Sequence, residues 1–440
     1  MTPTLACRVA TAVAMQEKAR VAIVARDTRV SGAMLEEAVV SGLISMGTTV
    51  LLCGMVPTPV LAYAAKAYGA DVGFMITASH NPPQYNGIKV FKADLSYTDT
   101  DQAAVEKIIT EGTFQPSNWR TLGKVSPVEA TQTYLDMVLK SVKLKRQWNV
   151  VVDAGCGAAY SVAPQMLVAL GCKITTLNSQ PDGFFPARKS EPTVESLQNL
   201  AKTVKALSAD IGIAFDGDAD RVAFVDEKGA FVNFDRALAA YAAYALKRAS
   251  AGVIVTTIEA SMAVETMTNK YPDQVKISKV IRTKVGDIYV SEAIKHRGAL
   301  FGGEPCGAWV QPQQHLCPDG PLSAAMFLAA LETEGKTVSE FINEVPEYPT
   351  ERVNIVCKNE QKYKLIEQIG SSLKTVFPNF SDYSMVDGAR LTLKNGWLLV
   401  RASGTEPLIR LTVEGETEVA TKDITAKATA LINKHIEAQQ

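Results

Sequence analysis

Three segments of the chain repeat one pattern, in which an apolar strand is followed by a loop of small and polar residues and then by a helix. They read VAIVARDTRVSGAM, NVVVDAGCGAAYSV and GVIVTTIEASMAVE, and a further strand follows each helix, as in GTTVLLCG, GCKITTLN and QVKISKVI. Strands that alternate with helices are typical of α/β units built on mostly parallel sheets. We therefore predict three related α/β domains with mixed, mostly parallel sheets.

The sequence changes character after about residue 346. EVPEYPTERVNIVCKN brings two prolines and then alternating apolar residues, and Asn395-Gly396 stands between two apolar runs, which is a strong hairpin signal. This pattern predicts a smaller C-terminal α+β domain with an antiparallel sheet. With proline-containing linkers as boundaries, we predict domains at residues 1–124, 125–229, 230–346 and 347–440.

Composition limits the classes of partner. The 440 residues carry a net charge of −1, which gives no broad electrostatic footprint for nucleic acid or for an anionic membrane. The seven cysteines form no CxxC pair and are typical of reduced thiols in a cytoplasmic protein. No apolar run is long enough to span a bilayer. The N-terminal stretch is predicted to be an amphipathic helix rather than a signal peptide, with Thr2 as its N-cap, Pro3 at the first helical position and Leu5, Val9 and Val13 at helical spacing. We expect a cytoplasmic monomer or homodimer that binds a small molecule.

The stretch TASHNPP, residues 77–83, follows the apolar run VGFMI and ends in two prolines that force a turn. It places a hydroxyl, an imidazole and an amide at the end of a strand. From the residues alone, Ser79 is a nucleophile, a phosphate ligand or a hydroxyl that caps the turn. His80 follows directly, but adjacency in sequence is not the geometry of a nucleophile and its base. We therefore expect His80 to orient the loop.

Residues 211–221 read IGIAFDGDADR, in which an apolar strand leads to Asp216, Asp218 and Asp220 at alternate positions of a tight loop. Three carboxylates this close repel one another unless a cation neutralises them, and hard oxygen ligands of this kind suit Mg²⁺. A solvated acidic turn is the simpler alternative, but three aspartates at the end of a buried strand are costly without a partner. The loop is therefore predicted to bind one Mg²⁺ ion.

Two other kinds of site share parts of this loop. An EF-hand is rejected, because Arg221 stands where the required glycine should be and apolar strands flank the loop where helices are needed. A phosphatase with a nucleophilic aspartate also presents a strand followed by DxD, with Asp216 as its nucleophile. That pattern expects Thr or Val in place of Asp220, and it gives no role to the Ser79 loop.

The stretch RASGTEPLIR, residues 401–410, follows the strand WLLV and concentrates phosphate-binding groups. A guanidinium, two hydroxyls and a flexible glycine can surround one phosphate with charged and backbone donors. These groups are Arg401, Ser403, Gly404 and Thr405. Arg410 either adds a contact to the phosphate or lies on the solvent face of the next strand.

The stretch FGGEPCG, residues 301–307, is a weaker candidate for sugar binding. Glu304 and Cys306 lie on a glycine-flanked loop after an apolar pair and can accept from and donate to sugar hydroxyls. Glu304 as an ordinary surface carboxylate is the alternative.

These four loops, in this order, resemble those of the α-D-phosphohexomutase family, which includes phosphoglucomutase, phosphomannomutase and phosphoglucosamine mutase. The resemblance covers nearly the whole chain. It implies three α/β domains and a smaller fourth domain around a central cleft, with one loop from each domain. It also implies that Ser79 is carried as a phosphoserine and contributes to the Mg²⁺ site together with the three aspartates. A hexose 1,6-bisphosphate is then the intermediate and activator.

Further residues gain roles from the resemblance alone. Lys89, in NPPQYNGIKV, aligns with a family lysine near the transferring phosphoryl group, and Arg221 matches an arginine near the phosphoserine. Lys89 is then a candidate for general acid–base assistance, with a surface lysine as the alternative. The resemblance further implies that Arg401, Ser403 and Thr405 hold the phosphate that does not react.

Three departures from the family pattern bear on activity and substrate. The chain starts at the helix that usually follows a first strand and a loop like FGTxGIRG, so we expect an incomplete first sheet. Cys306 stands where the family usually has serine, and a thiol is a weaker hydrogen-bonding group. Asp287, in TKVGDIYVSE, and the GEP and SGTEP stretches are most like phosphoglucosamine mutases.

The predicted substrates are glucosamine 6-phosphate and glucosamine 1-phosphate, with glucose and mannose phosphates as the alternative. A metal-dependent phosphatase and an inactive sugar-phosphate-binding protein are the competing functions.

Overall fold

The computed structural model describes residues 1–249, 251–270, 278–403 and 406–438. Four sheets, each with its own helices, divide the chain into four domains, which we number I to IV in chain order. Three sheets are mixed and mostly parallel and the fourth is antiparallel, so the predicted fold class is confirmed. Gly404 and Thr405 of the predicted phosphate loop lie outside the described residues.

Domain I contains a six-stranded sheet in the order β5-β4-β3-β1-β2-β6. Strands β3, β1, β2 and β6 are parallel, whereas β4 pairs antiparallel with both β3 and β5. The elements are α1 (Pro3–Glu17), β1 (Val21–Arg26), α2 (Gly32–Ser45), β2 (Thr49–Met55), α3 (Thr58–Ala67), β3 (Val72–Ile76), β4 (Ile88–Lys92), β5 (Leu95–Ser96), α4 (Asp99–Glu111) and β6 (Val125–Pro127). Strand β6 follows the predicted boundary at residue 124 but pairs with β2, so it lies with this sheet.

Domain II contains a four-stranded sheet in the order β10-β9-β7-β8, in which the pair β9 and β10 is antiparallel. Its elements are α5 (Ala130–Ser141), β7 (Asn149–Asp153), α6 (Ala159–Ala169), β8 (Lys173–Leu177), α7 (Gln198–Leu207), β9 (Ile211–Phe215) and β10 (Val222–Val225). All five residues of β9 are buried, as expected for a central strand covered on both faces.

Domain III contains a four-stranded sheet in the order β12-β11-β13-β14. Its elements are α8 (Phe234–Ala249), β11 (Gly252–Thr257), α9 (Ala263–Thr268), β12 (Ser278–Thr283), α10 (Asp287–Arg297), β13 (Phe301–Gly303), β14 (Trp309–Val310), α11 (Gly320–Glu334) and α12 (Val338–Asn343).

Domain IV contains a five-stranded antiparallel sheet in the order β15-β19-β18-β17-β16. Its elements are β15 (Thr350–Val356), α13 (Asn359–Val376), β16 (Asp382–Ser384), β17 (Ala389–Leu393), β18 (Gly396–Ala402), β19 (Leu408–Gly415) and α14 (Glu418–Glu437). The hairpin that the Asn-Gly signal predicts forms between β17 and β18, but Lys394 and Asn395 make its turn and Gly396 is the first residue of β18.

One continuous apolar core joins the first three domains. It includes Ile23 of domain I, Phe215 of domain II and Phe327 of domain III, each fully buried. Domain IV has its own core, and it meets domain III through a small cluster around Ile258 and Trp397. The loops of domains I to III are thus fixed relative to one another by shared packing.

Two general features follow the sequence predictions. All seven cysteines are free thiols. Within the described part of the chain, every helix is too short or too polar to cross a bilayer.

Helix α1 begins as predicted, with Thr2 Oγ1 accepting a hydrogen bond from Leu5 N and with proline in the first turn. Leu5 itself is exposed.

Candidate active site

The serine loop begins where β3 ends, and its backbone conformation is unusual. Ser79 is buried and has a left-handed backbone with φ of 50°, a region that a non-glycine residue rarely occupies. Ser79 N donates a 2.8 Å hydrogen bond to Thr77 Oγ1, and Thr77 Oγ1 donates to Asp27 Oδ2 at 2.7 Å. Such strain costs of order 1–3 kcal/mol and persists only where the surroundings fix the chain.

Arg29 holds this loop, and the sequence analysis did not identify it. Its two terminal nitrogens donate to four main-chain carbonyl oxygens of the loop at 2.6–2.8 Å, those of Ser79, Asn81, Pro82 and Tyr85. Its Nε donates to Asp27 Oδ2 at 3.0 Å, and both side chains are fully buried. One guanidinium therefore fixes the main chain on both sides of the prolines. The signal available was a second charged residue in the loop after the apolar strand VAIVAR.

The three aspartates of the second loop lie together at the end of β9. Asp216, Asp218 and Asp220 are all buried, and one oxygen from each lies within 4.8 Å of the others. The Oδ1 atoms of Asp218 and Asp220 are buried without a hydrogen-bond partner among the described residues. Hard, unpartnered carboxylate oxygens grouped at this spacing fit a divalent cation such as Mg²⁺.

Two side chains of domain I reach this carboxylate cluster. Lys89 Nζ, on β4, donates to Asp218 Oδ2 at 2.8 Å and to Asp220 Oδ2 at 2.5 Å. Thr58 Oγ1, at the start of α3, donates to Asp218 Oδ2 at 2.5 Å. Thr58 is a second residue that the sequence analysis missed. Its signal was a hydroxyl between two prolines directly after a strand.

The electrostatics of the cluster show an excess of negative charge. Burial, and then the charges of Asp220 and Asp218, raise the pKa of Asp216 well above its usual range. Burial also opposes ionisation of Asp218, but the Lys89 ammonium outweighs it and lowers the pKa of Asp218 to about 2. Despite its burial, Lys89 has a pKa well above the ordinary value, because Asp218 and Asp220 stabilise its charge. One ammonium is not enough to neutralise three buried carboxylates.

The serine and the carboxylates meet directly. Ser79 Oγ donates a 2.8 Å hydrogen bond to Asp216 Oδ2. Gly217 makes this approach feasible, because a Cβ at that position would lie 2.5 Å from Ser79 O. The serine loop and the carboxylate loop therefore form one site.

His80 and Arg221 lie beside the serine. His80 Nδ1 is 3.3 Å from Ser79 Oγ, and burial together with the charge of Arg221 lowers the pKa of His80. The main chain of the loop at His80 also accepts a 2.6 Å hydrogen bond from Ser190 Oγ of domain II. Arg221 donates through its main-chain N to Asp216 Oδ1 at 3.2 Å, and its guanidinium lies 3.8 Å from Glu191.

The predicted sugar loop is joined through the backbone to the loop that carries Asp216, Asp218 and Asp220. Arg221 forms an antiparallel bridge with Ala308, and Val222 N donates to Gly307 O at 3.0 Å. Glu304 Oε2 accepts a 2.9 Å hydrogen bond from Gly286 N at the start of α10. Glu304 is therefore not an ordinary surface carboxylate.

The three predicted sugar-binding side chains differ in their surroundings. Burial, and then the charge of Asp287, raise the pKa of Glu304 to about 7. Burial raises the pKa of the Cys306 thiol to about 12, so the thiol is neutral at neutral pH. Asp287 and Lys89 line one cavity of about 390 Å³, which brings Asp287 near the carboxylate cluster.

The predicted phosphate loop lies in domain IV and meets domain III. Arg401 pairs with Asp387 at 3.0 Å and lies 3.8 Å from Glu259 of domain III. Ser403 is buried, and its main-chain oxygen accepts a short hydrogen bond from Lys362 Nζ of α13, a residue that the sequence analysis missed.

Arg410 lies apart from these residues. It pairs with Glu406 at 2.9 Å, and both side chains are about half exposed.

Four family models match the chain, and together they span most of it. They are described as phosphoglucomutase/phosphomannomutase alpha/beta/alpha domains I, II and III and the C-terminal domain, and they match residues 1–116, 132–229, 233–348 and 353–431. The chain belongs to this family. The enzyme is therefore a phosphohexomutase, an isomerase that transfers a phosphoryl group within its substrate, as the sequence predicts.

Curated relatives of this phosphohexomutase carry a narrower description. A probable phosphoglucosamine mutase of Methanothermobacter thermautotrophicus is 43% identical over 398 residues, which cover 90% of this chain and 86% of that protein. A probable phosphoglucosamine mutase of Pyrococcus horikoshii is 41% identical over 438 residues, covering 99% and 95%. Among the phosphohexomutases, the enzyme is thus most like phosphoglucosamine mutase.

Solved structures show the same architecture. A phosphoglucomutase/phosphomannomutase family protein of Burkholderia thailandensis superposes with a TM-score of 0.89 at 27% identity, covering 99% of this chain and 94% of that one. A phosphomannomutase described as putative from Thermus thermophilus superposes with a TM-score of 0.80 at 23% identity, covering 98% and 95%, and this second likeness bears on the fold alone.

Proposed function

We propose that this phosphohexomutase interconverts a hexose 6-phosphate and a hexose 1-phosphate by way of a phosphoryl group carried on Ser79. One observation carries the proposal: the Ser79 hydroxyl lies 2.8 Å from Asp216 within a buried group of carboxylates. A hydroxyl that only capped a turn would have no reason to lie against a cation site. A serine hydroxyl that is held in one position is suited to donate and accept a phosphoryl group at the same place.

In the proposed reaction, phosphoserine 79 gives its phosphoryl group to the C1 hydroxyl of a hexose 6-phosphate. The P–O bond to the serine oxygen breaks, a P–O bond to the C1 oxygen forms, and the hydroxyl proton passes through a nearby base to the serine oxygen. The resulting hexose 1,6-bisphosphate turns end for end in the site. The phosphoryl group on C6 then returns to Ser79, which releases hexose 1-phosphate. Nothing is hydrolysed, and free bisphosphate phosphorylates an enzyme that has lost its phosphoryl group.

Asp216, Asp218 and Asp220 are proposed to hold one Mg²⁺ ion, with an oxygen of phosphoserine 79 as a further ligand. The donor set is entirely oxygen, and two of its atoms are buried without partners among the described residues. When bound, the ion would neutralise negative charge that develops on the transferring phosphoryl group.

The basic side chains around the serine have distinct proposed roles. The Lys89 ammonium reaches the carboxylates from the next strand of the serine domain and can donate to the transferring group or assist proton transfer. Arg221 supplies a positive charge beside Ser79. His80 lies 3.3 Å from the serine oxygen and orients the loop.

The far end of the substrate is proposed to be held by the other two loops. Glu304, Cys306 and Asp287 would contact sugar hydroxyls, and the phosphate that does not react would be bound by Arg401 and Ser403. Gly404 and Thr405, outside the described residues, remain predicted members of this set. Arg410 remains a predicted contact, although it pairs with Glu406 on the exposed side of β19.

The proposed substrates are glucosamine 6-phosphate and glucosamine 1-phosphate. Two relatives above 40% identity that are described as probable phosphoglucosamine mutases support this choice. Asp287, at the start of α10, is proposed to face C2 of the sugar, where its carboxylate would pair with an ammonium. A cytoplasmic location and a monomeric or homodimeric state stay predictions.

Turnover of three substrates tests the assignment. Glucosamine, glucose and mannose 6-phosphates are each supplied with Mg²⁺ and a trace of the matching 1,6-bisphosphate, and hexose 1-phosphate and free phosphate are both measured. We expect the highest kcat/KM for glucosamine 6-phosphate and no stoichiometric phosphate release. A higher value for glucose or mannose would overturn the substrate, and phosphate release without isomerisation would overturn the mutase reaction.

A further inference from the structure

The sheet of domain IV has two different faces. Along β17, Ala389 and Leu391 point into the core under the helices, so Arg390 and Thr392 point to the opposite face, toward domain III. On that face the Arg390 guanidinium lies over the Trp397 ring, 4.6 Å from its centroid. Arg390 is only 7% exposed, which is rare for an arginine.

Arg390 is buried without an ion-pair partner among the described residues, although the charges of Glu265, Glu414 and Asp382 act on it from a greater distance. Among the described residues, its Nε has no hydrogen-bond partner, and its guanidinium makes no ion pair with a carboxylate. Burial, and then the charge of Arg282, lower the pKa of Arg390 to about 9. A buried, unpaired guanidinium is costly, and the cost is removed when an anion binds to it.

Arg390 lines a cavity of about 470 Å³ between domains III and IV. The cavity is also lined by the polar side chains of Glu265, Arg282, Asp382, Ser384, Thr392 and Lys394. Glu265 is already paired with Arg282 through two contacts of 2.8 and 2.7 Å. Asp382 is the other carboxylate of the described lining. Glu414, whose charge also acts on Arg390, already accepts hydrogen bonds from Trp397 Nε1 and Met262 N.

We propose that this cavity binds the phosphate group of a small metabolite, with Arg390 as its main ligand. A planar guanidinium binds two phosphate oxygens at once, and the hydroxyls of Ser384 and Thr392 together with Lys394 supply further donors. The volume exceeds that of a phosphate ion alone and falls in the range of small-molecule sites.

The cavity is separate from the proposed active site. It lies toward the Asn395-Gly396 hairpin, whereas Ser403 follows the opposite end of β18. Because Arg282 belongs to β12 of domain III, a bound anion would connect the two domains. The inference does not rest on the proposed reaction.

A tungstate soak of crystals of the whole protein tests the proposal, because tungstate replaces phosphate and gives anomalous density. We expect one peak at the Arg390 guanidinium and a second at the Ser403 loop, which serves as the internal control. Arg390→Gln should lose the first peak and keep the second. A peak at Ser403 with none at Arg390, or an Arg390-site peak that survives Arg390→Gln, would overturn the proposal.

A solution measurement uses inorganic phosphate with potassium chloride at equal ionic strength as the reference. Arg401→Gln serves as the background, because it removes the arginine that is proposed to bind phosphate at the loop of domain IV. In that background we expect saturating phosphate to raise the Tm by about 2 °C or more. Adding Arg390→Gln should abolish the rise and Arg390→Lys should keep part of it. An equal rise with and without Arg390 would contradict the site.

Discussion

Ser79 Oγ donates a 2.8 Å hydrogen bond to Asp216 Oδ2, across 137 residues of sequence. The contact joins the serine loop of domain I to the carboxylate cluster of domain II. A phosphoryl group on Ser79 would therefore lie against the ligands of the proposed metal ion. The shared core of domains I to III keeps these two residues in place.

Arg29→Lys tests whether the conformation of the serine loop matters for catalysis. Lysine keeps the positive charge beside Asp27 but lacks the planar guanidinium group that donates to four carbonyl oxygens. We expect kcat to fall by about 100-fold, because small displacements of a reacting group have effects of this size, while KM changes little. Steady-state kinetics measure both constants. Arg26→Lys, which affects the pair with Glu36, is the control. A change in KM alone would contradict a positioning role.

Asp218→Asn tests the metal site independently of turnover. One carboxylate ligand and one negative charge are lost, so we expect Mg²⁺ affinity to fall by about 10-fold or more. Isothermal titration and the Mg²⁺-dependent rise in Tm report the affinity. Asp136→Asn, on an exposed part of α5, should bind Mg²⁺ as the unmodified protein does. Equal affinities of the two variants would exclude this loop as the metal site.

Glu304→Gln tests the buried carboxyl of the sugar loop. The pKa of Glu304 is about 7 in the folded protein against 4.5 for the ordinary group. Between pH 4.5 and pH 7, Glu304 is protonated in the folded protein and ionised in the unfolded chain. The contribution of Glu304 to the free energy of unfolding is therefore fully present below pH 4.5 and is lost as the pH rises through 7. A shift of this size corresponds to at most about 3 kcal/mol.

Unfolding by urea at pH 5 and pH 8 measures this dependence. Glu304→Gln should lose less stability than the unmodified protein between the two values, because glutamine has no charge to bury and can still accept from Gly286 N. Glu367→Gln, at an exposed position of α13, should leave the dependence unchanged. Parallel curves for Glu304→Gln and the unmodified protein would refute the raised pKa.

Cys306→Ser tests whether the thiol contacts the sugar. Because the partly buried thiol stays neutral and is a weak hydrogen-bonding group, a hydroxyl of similar size should bind a sugar hydroxyl better. We expect KM for the hexose phosphate to fall by about 2- to 10-fold, and Cys306→Ala to raise it. Unchanged KM in both variants would show that this side chain makes no substrate contact.

The fold and the loops were predictable because each depends on local patterns. Alternating strands and helices, the Asn-Gly hairpin and Thr2 at the start of α1 are all confirmed. Leu5 was predicted on the apolar face of α1 but is exposed, because small alanines such as Ala6 and Ala10 make the close packing against α2.

The missed residues act through contacts that leave no sequence pattern. Arg29 and Lys362 donate mainly to main-chain carbonyl oxygens, which every residue possesses. The contact between Ser79 and Asp216 depends on how two domains pack, and no local periodicity encodes it, so it was predicted only through the family resemblance. Arg390 is hidden for a different reason, because in the alternation of ARLTL it is indistinguishable from a residue on a solvated face.

The phosphoryl group on Ser79 is the central claim, and its direct test is mass spectrometry of the peptide that contains TASHNPP. The purified protein is incubated with Mg²⁺ and glucosamine 1,6-bisphosphate, and Ser79→Ala and Ser371→Ala are treated in parallel. We predict one phosphate on Ser79 in the unmodified protein and in Ser371→Ala, and neither phosphate nor isomerisation in Ser79→Ala. Full isomerase activity in Ser79→Ala, or an active enzyme whose Ser79 never carries phosphate, would contradict the account.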